Sequence, residues 1–143
     1  MNDLHNNSRA QRVISPVAVG VTGTGLTGAI IDRKDYGGVE FIVAYGAVTA
    51  TDATVTVTVL EGDVTGTLTS VADADLLGTE ALASLPAGTP RTSGSNSNVT
   101  KRIGYRGNKR YVTMKEVPTV TAAALIGIDA LLHSPKFAPT ANP

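Results

Sequence analysis

Residues 54–59 alternate without a break: Val55, Val57 and Val59 take one side, and Thr54, Thr56 and Thr58 take the other. A period of two is that of a strand with one buried face. Residues 53–60 are therefore predicted to form such a strand, ended by Glu61-Gly62-Asp63. Residues 39–45 predict a second. There Val39, Phe41 and Val43 alternate with Glu40, Ile42 and Ala44, so both sides are largely apolar, as expected of a strand at the centre of a sheet. Residues 28–31 predict a short strand that runs into the charged turn Asp32-Arg33-Lys34-Asp35, with Gly37-Gly38 closing it.

A third alternating stretch covers residues 101–114. Two strand-like runs, 101–105 and 110–114, flank Arg106-Gly107-Asn108-Lys109. Gly-Asn between such runs predicts a two-residue hairpin, with Gly107 supplying the positive φ of a type II′ turn. That register sets Arg106 opposite Lys109, Tyr105 opposite Arg110, Gly104 opposite Tyr111 and Ile103 opposite Val112. One face then carries Ile103, Tyr105, Val112 and Met114, and the other carries Arg102, Arg106, Lys109 and Tyr111. A basic, one-sided ribbon is a contact element rather than an active site.

The remaining segments are shorter on signal. Residues 71–85 fit one or two helical turns, with Asp73 as cap and Gly78 as break; a strand hairpin competes. Residues 86–98 are loop by composition, and Val117-Pro118 marks a strand end or edge. Residues 119–132 are apolar; a helix competes, but Val120, Thr121, Ile126 and Ile128 with Gly127 favour a strand. Residues 1–11 are polar and without periodicity, which predicts a flexible arm, and residues 134–143 form a Pro-rich tail. About seven or eight strands separated by turns predict an all-β fold, a sandwich or jelly-roll-like single domain over residues 12–133.

Composition agrees: nineteen Thr and fifteen Gly favour strands and turns, while only six of 143 residues are aromatic. With no Cys there is neither a disulfide framework nor a thiolate metal site, which suits assembly in a reducing cytoplasm. The first dozen residues lack the apolar stretch of a signal peptide. The longest apolar run is too short and too polar to span a bilayer. The expectation is a soluble protein made inside a cell, with no membrane partner.

Net charge is zero but unevenly spread. Residues 13–90 hold nine acids against Arg33 and Lys34, while residues 91–116 hold seven bases against Glu116. Either the module is dipolar and docks head-to-side on copies of itself or on a charged partner, or the two blocks meet within one fold and neutralise each other. The near-neutral pI of about 6.7 argues against nucleic acid as the target. Candidate contact residues are Arg9, Arg12, Arg102, Arg106, Lys109, Arg110 and Tyr111.

Catalytic chemistry finds no pattern. His5 and His133 have no second ligand at metal-site spacing. Asp73-Ala74-Asp75 lacks the Gly and terminal Glu of a calcium loop. Gly94-Ser95-Asn96-Ser97 is no nucleophile elbow, and Gly23-Thr24-Gly25 lacks the context of a dinucleotide fingerprint. The expectation is a protein that is not an enzyme and uses no cofactor or metal.

Four stretches carry a resemblance: Gly37-Gly38-Val39-Glu40-Phe41-Ile42-Val43-Ala44-Tyr45-Gly46, residues 55–63, Ala74-Asp75-Leu76-Leu77-Gly78, and Lys101-Arg102-Ile103-Gly104-Tyr105-Arg106-Gly107-Asn108-Lys109-Arg110-Tyr111-Val112. With the Pro-rich tail, they resemble the small structural proteins encoded near the major capsid protein of tailed bacteriophages. The resemblance spans nearly the whole chain beyond the arm. It implies a head decoration (cement) protein on the capsid surface, made in the host cytoplasm. Its partners would be the major capsid protein and copies of itself, as dimer or trimer. A head–tail connector or minor tail component is the alternative, and a surface carbohydrate-binding or adhesive module is a further one.

Overall fold

A computed structural model describes residues 3–89, 91 and 94–140. Its ten strands are β1 (Ser8–Ala18), β2 (Leu26–Thr27), β3 (Ile31–Asp32), β4 (Tyr36–Val48), β5 (Val55–Gly62), β6 (Thr69–Ser70), β7 (Leu76–Leu77), β8 (Val99–Tyr105), β9 (Tyr111–Pro118) and β10 (Ala124–Pro135). All pair antiparallel, in two sheets. One sheet has the order β1-β10-β4-β8-β7; the other has β2-β9-β5-β6, with β3 also on β9. The protein is 52% strand and 7% helix, an all-β sandwich.

The core is the space between the sheets. Val39, Phe41 and Val43 of β4, Ile103 of β8, and Ile128 and Leu132 of β10 enter it from one side. Val57 and Val59 of β5 and Val112 and Met114 of β9 enter it from the other; all ten are fully buried. The Val/Thr alternation predicted for β5 holds, and β4 is the middle strand of its sheet, as predicted. Only one face of β4 is buried, however, since Ile42 and Ala44 are exposed. Gly37 and Gly38 lie within β4 rather than closing a turn, and of the strand expected over residues 28–31 only Ile31 is in one, β3, while residues 28–30 lie between β2 and β3.

The predicted hairpin is not formed. β8 pairs with β4 and β7, whereas β9 pairs with β5, β2 and β3, so residues 106–110 carry the chain from one sheet to the other. Gly104 lies opposite Glu40 and Leu77, not Tyr111. Gly107 has no positive φ. The alternation was real, but a crossover and a hairpin send the same residues inward. Ile103, Tyr105, Val112 and Met114 are all buried, meeting across the core instead of side by side.

Tyr105 shapes the crossover. Its hydroxyl donates to the Glu61 carboxylate on β5 and accepts the Lys109 backbone N–H at 3.0 Å. Burial, with Glu61 beside it, pushes that hydroxyl's pKa up to about 12. Gly107 packs on the ring so closely that a Cβ would stand 2.4 Å from the phenolic oxygen.

The expected arm and tail boundaries fall inside strands. Residues 8–11 are the first part of β1, with Ser8 opposite His133 and Gln11 opposite Ala130. Thr140 donates its N–H to the Asn6 carbonyl (2.9 Å) and its hydroxyl to that of Ser8 (2.7 Å). Polar side chains do not prevent this, because an edge strand is held by its backbone and needs only one apolar face. Residues 1–2 and 141–143 lie outside the described residues. Two register shifts in β1 let the consecutive residues Val13 and Ile14 both be buried.

Residues 71–85 combine both competing readings. A 3₁₀ turn (Asp73–Asp75) leads into β7, Gly78 breaks the chain at φ 94°, and the short helix α1 (Glu80–Ala83) follows. Its cap is Thr79, which accepts the Leu82 N–H, rather than Asp73. This segment closes the edge of β5. Ser84 Oγ accepts the Val57 N–H (3.0 Å), Glu80 Oε1 accepts that of Val59 (2.7 Å), and Val55 and Leu85 exchange backbone bonds. Side chains thus replace a neighbouring strand where an open edge would invite pairing.

One carboxylate sits in the interior. Glu116 of β9 is fully buried; Oε1 accepts the Gly20 N–H at 2.7 Å, while Oε2 has no partner among the described residues. Burial raises its pKa, and the amides of Gly20 and Leu26 draw it only partly back. A carboxyl raised on folding contributes fully below its unfolded value and loses that contribution as pH rises through the folded value. Relative to Glu116→Gln, wild type should therefore melt at progressively lower temperature as pH rises from the ordinary glutamate range through the raised folded value; parallel melting curves would show that Glu116 does not titrate differently on folding. Gly107→Val should cost about 1–3 kcal/mol by overpacking against Tyr105. Gly66→Val, where a Cβ meets nothing within 4 Å, should stay within about 0.5 kcal/mol of wild type by chemical denaturation.

Candidate functional site

The basic residues singled out from the sequence do not form one ribbon. Arg102 on β8 lies opposite Ile42 and reaches Glu40 Oε1 at 3.6 Å. Arg106 donates Nε and Nη2 to the Ala74 carbonyl at 3.2 and 3.0 Å. Lys109 pairs with Asp63 at 2.6 Å. Arg110 grips Asp32 with Nε and Nη2 at 3.0 and 2.7 Å and lies over the half-buried Tyr111 ring. On β1, Arg12 faces Asp129 at 3.7 Å, and the Nε of Arg9 is buried without a partner among the described residues.

Three of these pairs join the acidic block to the basic one. Asp32, Glu40 and Asp63 meet Arg110, Arg102 and Lys109 within the fold. Arg110 holds the Asp32 carboxyl below its usual range, and Lys109 does the same for Asp63. Internal neutralisation is therefore the better account of the charge pattern at these positions. Besides Arg106, two further bases of the same block are committed to backbone. Lys101 donates to the Ser84 carbonyl at 2.7 Å, with its pKa lowered by burial. Arg91 donates to the carbonyls of Thr51, Ala53, Pro86 and Asn96, tying two loops together. Neither role has a sequence signal, since each depends on carbonyls brought near only by the fold.

Sequence reasoning missed the outer face of the sheet β1-β10-β4-β8-β7. Strand register lays its side chains in rows. One row runs Arg12, Asp129, Ile42, Arg102, and the next runs Ala10, Leu131, Glu40, Gly104, Leu77. Gly127, Ala44 and Thr100 make a third. Three shallow clefts of 280–410 Å³ open on this face, at Glu40–Leu77–Arg102, at Pro16–Ala44–Leu125 and at Ala10–Arg12–Asp129. Ile42, Leu77 and Leu125 are exposed there at 36%, 49% and 52%. The face is flat, short in side chain and partly apolar, and its charges are paired with one another. It is a broad, shallow surface whose carboxylates in these rows, Asp129 and Glu40, each face an arginine. The signal was faint because β4 and β10 carry Gly and Ala where a solvated strand usually carries long polar residues.

No protein-family model matches the chain, and no curated protein matches it. Among solved structures it is similar to the CBM22-1–GH10 modules of the endo-1,4-β-D-xylanase 10B of Clostridium thermocellum, a structure complexed with xylohexaose. That likeness has 12% identity and a TM-score of 0.43 over 96% of this chain, which spans only 28% of the xylanase chain. It is also similar to the K1 cleaved adhesin domain of the Lys-gingipain of Porphyromonas gingivalis W83, at 12% identity and a TM-score of 0.41, over 90% of this chain and 73% of that one. Neither likeness bears on function.

The exposed pairs should matter little to folding. Arg102→Ala should change stability by less than about 1 kcal/mol, because exposed pairs are solvated and screened; a larger loss in urea would show the pair to be structural. Asp32 has a lowered pKa, so its contribution is present at neutral pH and lost as pH falls through its folded value. Asp32→Asn should accordingly differ from wild type at neutral pH and converge with it in acid.

Proposed function

We propose that this chain is a virion structural protein that decorates the outside of a tailed-phage head, bound to the major capsid protein. The observation that supports this reading is the outer face of the sheet β1-β10-β4-β8-β7, taken with the sequence resemblance to small phage structural proteins. Short side chains at Ala44, Gly127 and Thr100 let a partner's backbone approach with little side-chain entropy to lose. Ile42 and Leu125 supply apolar area in the same region. A cement protein needs no single strong contact, since many modest ones are multiplied over a lattice. The rows described hold no aromatic ring on which a sugar could stack, which favours a protein surface over a glycan.

The test uses heads of the corresponding phage assembled without this protein. Wild-type protein should bind them at regular surface positions in negative-stain images and co-sediment with them. Ala44→Arg combined with Thr100→Arg, two exposed neighbours on β4 and β8, should abolish co-sedimentation while leaving the circular dichroism spectrum unchanged. Binding confined to the portal or tail would replace decoration with a connector role, and undiminished binding by the double variant would remove the sheet face from the account.

A further inference from the structure

One end of the sandwich gathers cations from three separated parts of the sequence. The turn after β3 supplies Arg33 and Lys34, the β8–β9 crossover supplies Lys109 and Arg110, and the segment after β10 supplies Lys136. Together they line a cleft of about 510 Å³ in which Asp35 is the one acid of the lining. Backbone bonds hold the three parts in place: Arg33 N–H to the Arg110 carbonyl at 3.0 Å, and Lys136 N–H to that of Asp35 at 2.8 Å. Arg33 itself is scaffold. Its guanidinium lies 5.0 Å from the Tyr105 ring centroid and donates to the carbonyls of Gly107 and Gly37.

The other four differ in how far they are neutralised. Lys109 and Arg110 each share one exposed carboxylate, Asp63 and Asp32. The ammonium groups of Lys34 and Lys136 make no ion pair among the described residues. Next to Lys136, Phe137 is 76% exposed. The cleft thus keeps an excess of positive charge on a chain whose net charge is zero, so its attraction is local and directional.

We propose that this cleft is a docking site for an acidic polypeptide segment, whose carboxylates lie between Lys34, Lys136 and the free donors of Lys109 and Arg110. A compact cleft suits a few side-chain carboxylates, whereas a nucleic acid needs an extended basic track along its phosphates. The assignment of that segment to the capsid lattice rests on the decoration reading; the binding chemistry does not.

The probe is a fluorescein-labelled peptide of alternating Glu and Ser, titrated with full-length protein and followed by anisotropy. Wild type should bind, and more weakly as salt shortens the screening length. Lys34→Glu with Lys136→Glu should weaken binding about tenfold or more, as expected when attractive contacts turn repulsive, without changing the melting temperature. Arg12→Glu with Arg102→Glu makes the same net-charge change on the sheet face and should leave peptide binding near wild type. Equal loss in both double variants would reduce the effect to net charge and overturn the cleft. So would tighter binding of a labelled single-stranded DNA, or concentration-dependent self-association that the Lys34→Glu/Lys136→Glu variant abolishes. Head binding separates the two claims. If wild type binds decoration-free heads and Lys34→Glu/Lys136→Glu binds them equally well, the lattice assignment fails and decoration stands. If wild type does not bind heads, decoration fails while the peptide titration still judges the cleft.

Discussion

The chain leaves one sheet for the other at Tyr105, and much of the structure depends on how that crossing is held. The phenol spans the gap to Glu61 on β5, accepts the Lys109 amide and presses its ring against Gly107. One side chain thereby links the two sheets and holds the crossover at Gly107 and the Lys109 amide. Across the rest of the core the packing is aliphatic, with Phe41 and Tyr45 as the other buried rings. A valine-rich interior of this kind gains its stability from area and close packing, and it offers few large side chains to fix the sheets in register. Polar anchors inside the sandwich take over that work. Tyr45 donates to the Ala83 carbonyl at 2.9 Å, and Glu116 holds the Gly20 amide. Burial raises the pKa of the Tyr45 hydroxyl, and the negative charge of Glu116 raises it further.

The parts of the fold set by local alternation were legible in the sequence. Val55, Val57 and Val59 point inward as their spacing predicts, and β4 is central as its apolar faces predict. What could not be read was pairing. Ile103–Tyr105 and Val112–Met114 alternate identically whether they lie side by side or face each other, and nothing local distinguishes the two. Residues 8–11 look like an arm by polarity, yet their backbone completes an edge that only the distant β10 creates. Residues 71–85 fit helical turns, and Glu80–Ala83 is helical, but the structural role of Glu80 and Ser84 lies in capping the β5 amides.

The same logic applies to the candidate contact residues. Read linearly, Arg102, Arg106, Lys109 and Arg110 make a basic ribbon; in the fold, each is turned to its own acid or carbonyl. The charge asymmetry of the sequence was real, but strands β3 and β4 and the turn after β5 bring Asp32, Glu40 and Asp63 to meet it. Besides these pairs the fold makes a flat sheet face with short side chains and a basic end cleft in which Lys34 and Lys136 make no ion pair among the described residues. Neither was visible before the strands were placed, because each collects residues from β1, β4, β8 and β10 or from the turns between them.

If the sandwich decorates a phage head as proposed, the sheet β1-β10-β4-β8-β7 is turned toward the lattice. A cryo-electron microscopy reconstruction of heads saturated with the protein, subtracted from one of bare heads, tests it most directly. The expected result is one added density per regular lattice site, into which the sandwich fits with Ala44, Thr100 and Gly127 facing the capsid protein. Added density that places those residues toward solvent, or a difference map without lattice density, would contradict it.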